Sequence, residues 1–200
     1  MRISWLVGIV WMLGLVVACQ SEATTNAPTP HPHSAVTYPA QYRTDFVHYL
    51  TVDRIDGTIR DIYISPAALD AARRNVALPD ETVIVIEAYH IQVDADGEPL
   101  VDEQGHYLKA DPFEMVHVIE KRADWQDSDF VSTARVGEWN FGSFDAQTGD
   151  YFDEDTAACF HCHNPMFNTD FVYTYPQLAT YAATKEVQHL YCDLANRLPC

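Results

Sequence analysis

The run Cys159-Phe160-His161-Cys162-His163 constrains this chain more than any other stretch. Two cysteines three positions apart, followed at once by a histidine, fit on one short helix in which residues i and i+4 share a face. That is the spacing of c-type haem attachment, in which two thiols reach the two vinyl groups as thioethers and the next imidazole turns onto the iron. Read this way, Cys159 and Cys162 are the attachment points, His163 is the proximal ligand, and haem c with its iron is the cofactor. Three other uses of the same residues stand beside it. A structural zinc site would take Cys159, Cys162 and either His161 or His163, and would require a distant fourth ligand. A redox dithiol belongs in a thioredoxin-like βαβ frame, which is not readable here. A Cys159–Cys162 disulfide would close a tight, strained loop.

Covalent attachment keeps haem bound outside a cell, and the N-terminus points the same way. Arg2 precedes an apolar run from Ile3 to Ala18, which falls short of the roughly 20 residues a spanning helix needs. Residues 1–18 therefore read as a signal peptide. The ending Val16-Val17-Ala18-Cys19 resembles a bacterial lipobox, with Cys19 lipidated as the mature N-terminus; an ordinary secretory cut after Ala18 is the alternative. Gln20 after the cysteine favours outer-membrane sorting in a diderm bacterium, giving a periplasm-facing or cell-surface lipoprotein held by its acyl chains. Residues 19–39, rich in Ser, Thr, Pro and Ala, read as a flexible tether. Its His31 and His33 have no further ligand nearby.

Residues 40–200 are then one domain of the 200-residue chain, long enough for a single core. Its reading is α+β: a mainly antiparallel β-sheet with short helices, one carrying the CxxCH run. Phe46–Val52 and Thr58–Ser65 flank the hairpin dipeptide Asp56-Gly57. Ser65-Pro66 opens a short helix over Ala67–Asn75. Thr82–Val93, apolar on both faces at its start, is a central strand. Met115–Lys121 and Trp139–Phe144 are further strands, with Met115, His117 and Ile119 on one side. The tail Pro176–Cys192 has helical spacing, and a Cys192–Cys200 disulfide would pin the C-terminus. A formal charge of −17 repels phosphate backbones and excludes nucleic acid as a natural partner.

Several stretches together resemble the cytochrome P460 family: Glu138-Trp139-Asn140-Phe141, the Cys159–His163 run, and Thr169-Asp170-Phe171-Val172-Tyr173-Thr174. Arg60-Asp61-Ile62-Tyr63, Pro79-Asp80-Glu81-Thr82-Val83 and Glu120-Lys121-Arg122-Ala123-Asp124-Trp125 extend the similarity over Tyr42–Thr174. The resemblance implies a small, β-rich cytochrome with one haem, a proximal histidine at His163, often an open distal site, and a plausible homodimer. Its members include hydroxylamine-oxidising enzymes and the gas-binding cytochromes c′-β. One departure matters: the lysine that cross-links to haem in the hydroxylamine-oxidising members corresponds to Ile86, and an isoleucine cannot form that bond.

Arg60 corresponds to a distal-region arginine of the family, with a surface ion pair as the alternative, and Ile86 is a candidate wall of the distal site. Met166 follows His163 too closely to reach the opposite side of a macrocycle. Met115, His117 and His90 remain candidates for the sixth position, Glu114 for a proton relay, and Trp125 and Trp139 for packing. The functional expectation is an exported mono-haem c-type cytochrome that binds or redox-processes small nitrogen oxides or peroxide at an open iron. The alternatives are a tethered electron carrier that meets a periplasmic redox partner, and a lipoprotein scaffold whose cysteines are structural. A hydroxylamine-oxidising enzyme is the weaker reading because of Ile86.

Overall fold

The dipeptide Asp56-Gly57 closes a hairpin because Gly57 takes φ +77°, a left-handed conformation costly for residues with a Cβ. Asp56 Oδ1 accepts hydrogen bonds from the backbone N–H and the hydroxyl of Thr58, at 3.2 and 2.6 Å. The hairpin joins β1 (Val47–Arg54) to β2 (Thr58–Ile64). This geometry comes from a computed structural model that describes residues 34–192, except residues 132 and 155 and the side chains of 111–114. The apolar leader, Cys19, residues 20–33 and Cys200 lie outside the described residues, as does the side chain of Glu114.

α1 (Tyr42–Asp45) precedes β1, and after β2 come α2 (Ala68–Arg74), β3 (Val83–Ile91), β4 (Lys109–Lys121) and β5 (Trp139–Asp145). The described residues end with α3 (Ala157–His163), a 3-10 turn over Asn164–Thr169, α4 (Tyr175–Thr184) and β6 (Gln188–Cys192). The strands make one six-stranded sheet in the order β5-β4-β3-β2-β1-β6. Neighbours pair antiparallel except β6, which runs parallel to β1. The fold is α+β, and β3 is interior with partners on both sides, as its double-sided apolar start requires.

Four local expectations need correction. Residues 188–192 form an edge strand rather than continuing the helix, because α4 stops where Lys185 adopts φ 64°. Ser65 does not cap α2: its Oγ accepts from the N–H of Val83, tying β2's end to β3, and Ala67 occupies the cap position. β4 begins six residues before Met115, its early half joined to β3 through register shifts that accommodate Pro112 opposite Tyr89. Residues 34–39 are not free tether, since Val36 is buried and Tyr38 packs on Phe144 at 5.5 Å. These are the large apolar side chains of that otherwise polar segment, and a sheet face was available to take them.

Strand alternation divides the sheet into two unlike faces. One carries Leu50, Val52, Ile62, Ile64, Ile84, Ile119 and Phe141 and is covered by α2, α3 and α4. The other packs Val85, Val116, Val118 and Phe144 against Val36 and Tyr42. Its buried acids each have partners: Glu87 with Tyr42, Arg43 and Tyr89, and Asp61 with Thr51, His48 and Lys109. Residues 92–108, turned at Gly97 and Gly105, lead from β3 to β4 and reach back to Asp53.

Candidate functional site: the cleft between α3 and the sheet

Helix α3 is short, and its first face is fixed by Phe160, which is 1% exposed and stacks edge-on against Phe141 at 4.8 Å. With Phe160 driven into the core, Cys159, Cys162 and His163 are left to line a cleft of about 310 Å³. Neither cysteine is in a disulfide, so they do not pair with one another. Across the cleft the sheet contributes Arg60, Ile86, His117, Ile119, Phe141 and Ser143. A narrower cavity of about 60 Å³ shares Arg60, Ile86, Ile119, His163 and Tyr173 with the cleft and adds Val52, Arg54 and Ile62.

The ring of His163 is held by its far nitrogen. Nδ1 lies 2.7 Å from the carbonyl oxygen of Phe171, which can only accept, so Nδ1 carries the proton and Nε2 keeps its lone pair. Burial, with Arg60 adding to it, outweighs the Phe171 bond and pushes the imidazole's pKa down, toward the neutral ring that can ligate a metal. The Phe171 carbonyl owes its position to two successive left-handed residues, Asp170 (φ 50°) and Phe171 (φ 62°). Asp170 is clamped in turn by the N–H of Leu78 at 2.8 Å and by Lys121 Nζ at 2.9 Å. Gly137 has φ 55°, and a Cβ there would stand 2.6 Å from the Phe171 ring, so the bare backbone makes room for it. Tyr173 braces the helix end by donating its hydroxyl to the Cys162 carbonyl at 2.6 Å.

A second imidazole is held in the same way. The Ser143 hydroxyl donates to the Glu154 carboxylate, so it accepts at 3.0 Å from Nδ1 of His117. His117 and Ser143 face each other across the β4–β5 ladder. Burial pulls the His117 pKa down, Glu154 raises it and Arg60 lowers it again. Arg60 lines both cavities, and its Nε is buried without a hydrogen-bond partner, as is that of Arg54. Burial, with Arg54 adding to it, lowers the Arg60 pKa to about 10, which leaves it charged at neutral pH. Two buried donors facing apolar walls call for an acceptor that the protein itself does not supply.

The cleft thus brings together Cys159, Cys162, His163, Arg60, Ile86 and His117. His90 is exposed, and neither it nor Met115 or Met166 lines the cleft. Trp139 is 1% exposed in the core, and Trp125 packs on Phe130. Sequence reading missed Arg54, Ser143 and Glu154; only the strand register, which sets Ser143 opposite His117, reveals them. No lysine lines the cleft: Lys109 pairs with Asp61 on the other face, Lys121 with Asp170, and Lys185 lies over the ring of Tyr181. Cys192 is buried and disulfide-bonded, while Cys200 is outside the described residues.

A helix that turns two cysteines and an imidazole toward a cleft walled by Ile86, Ile119 and Phe141, with a buried guanidinium at its edge, is a candidate site for a prosthetic group. The family model for cytochrome P460 matches residues 39–174, and the chain belongs to that family of haem c proteins. Comparison with curated proteins gives no match.

Proposed function

We propose that the chain is an exported mono-haem c-type cytochrome whose cleft binds or redox-processes a small nitrogen oxide or peroxide. The observation that carries this reading is the His163–Phe171 bond, which leaves Nε2 unprotonated on the same short helix as two cleft-lining cysteines that form no disulfide. Cys159 and Cys162 would hold the haem covalently and His163 would ligate its iron. Haem bound there supplies a redox-active metal able to take a small ligand. The rest is done by side chains of this chain. Ile86, Ile119 and Phe141 exclude water from the cleft. Arg60 offers a buried donor to an anionic or oxygen-bearing group. Glu154 and Ser143 hold a proton relay against His117 Nδ1. Ile86 in the wall, with every lysine engaged elsewhere, supports a haem without the lysine cross-link and weighs against hydroxylamine oxidation.

His117 favours a second reading, because its Nε2 is also left unprotonated beside the cleft. If it ligates the iron, the protein is an electron carrier. One experiment decides: ferric and ferrous absorption spectra of the matured protein, with and without nitric oxide. A high-spin spectrum that shifts with the gas supports an open site. A low-spin spectrum indifferent to it, turned high-spin by His117→Ala, supports the carrier. Absence of covalent haem after co-expression with maturation factors would refute both. The leader and Cys19 support a lipid anchor facing the periplasm, and the intact mass of the mature N-terminus tests it.

A further inference from the structure

On the sheet face away from the cleft, three sequence-distant segments converge on one buried carboxylate. Asp53 of β1 has a side chain only 3% exposed. His189 of β6 places Nε2 at 2.8 Å from its Oδ1, and His106, in the connection between β3 and β4, places Nδ1 at 3.5 Å from its Oδ2. One donor atom from each of the three lies within 4.8 Å of the others. We infer that Asp53, His106 and His189 form a binding site for one divalent transition-metal ion of the zinc or copper class.

The two imidazoles are stacked, with centroids 3.6 Å apart and planes 9° from parallel. A ring nitrogen's lone pair lies in the ring plane, so binding one ion at about 2.0–2.1 Å requires the stacked rings to turn toward each other, and donor atoms already within 4.8 Å of one another keep that turn small. Two imidazoles and one carboxylate select a borderline metal such as zinc, copper or iron over magnesium or calcium, which take mainly oxygen. Both rings remain about a third exposed, at 33% and 29% for their side chains, so water can fill the remaining positions. The surrounding shell is built as well. The Tyr107 N–H donates to Asp53 Oδ2 at 3.0 Å and orients the carboxylate. The His106 N–H donates to Asp102 Oδ1 at 2.9 Å, which fixes the turn that presents the ring. A chain of net charge −17 raises the local concentration of cations. Val52 and Arg54, on either side of Asp53, line the narrower cavity, so the ion would sit directly across the sheet from it.

The test uses the untagged, haem-loaded full chain. After incubation with Zn²⁺ and exhaustive dialysis, elemental analysis should return one zinc per iron, and the unfolding temperature should rise because the ion joins three segments. His106→Gln and His189→Gln should each weaken zinc binding by at least about tenfold. His106 lies in a connection, so its replacement leaves the strands intact, and an unchanged haem spectrum verifies folding. Excess Mg²⁺ should not compete. Retention of no zinc, retention indifferent to both histidine variants, or loss of binding only in a His31→Gln/His33→Gln variant of the leader-proximal segment would each overturn the assignment.

Discussion

An imidazole is only as well aimed as the atoms behind it, and here the aim runs from Lys121 through Asp170 to the Phe171 carbonyl and His163 Nδ1. Lys121 is 7% exposed at its side chain, and its Nζ also donates to the Leu78 carbonyl at 2.8 Å. Lys121→Met leaves Asp170 without its cation and Leu78 O without its donor, so the loss should be about 3 kcal/mol. Urea unfolding monitored at the haem band measures it, and a loss below about 1 kcal/mol would show that the pair does not support the site. The more conservative Lys121→Arg keeps the charge and should lose less. The thiols and His163 were legible in the sequence because their spacing is local. Glu154, Ser143 and the Asp53–His106–His189 group were not, because nothing within a few residues of any of them records the strand register and loop path that bring them together.

At the scale of elements, hairpin pairing was readable wherever a turn residue and an apolar alternation coincided, as at Asp56-Gly57 or in Thr82–Val93. β6 was not readable, because a five-residue run after a helix has no period of its own, and its parallel pairing with β1 spans more than a hundred residues. α4 makes that pairing reachable: it packs on α2 and β1 and delivers the chain to the sheet edge. Leu178, at the centre of α4, is 0% exposed within the core under the cleft. Leu178→Ala should cost about 3 kcal/mol, from lost burial plus an unfilled cavity. Thermal or denaturant unfolding checks this, with the ferric spectrum expected to stay native because α3 is anchored by Phe160 on Phe141. A loss near zero would mean that α4 packs against the sheet without supporting it.

For the whole molecule, a charge of −17 makes the few well-buried carboxylates decisive for its response to acid. Asp61 is the clearest case. Burial alone would raise its pKa, but hydrogen bonds from His48, Lys109 and Thr51 overcome that and hold it at about 2. A carboxylate depressed in the folded state contributes stability above its unfolded pKa of about 3.9, and loses it as pH falls through the folded value. That depression corresponds to about 2 kcal/mol, present at pH 5 and above and lost progressively as pH falls toward and below 2. Asp61→Asn cannot titrate, and it leaves Lys109 and His48 on a neutral partner, so the variant should be less stable at pH 6 and lose less on acidification. Urea midpoints measured between pH 6 and pH 2 should converge for the two proteins as pH falls. Parallel curves across that window would place the acid sensitivity elsewhere among the acidic residues.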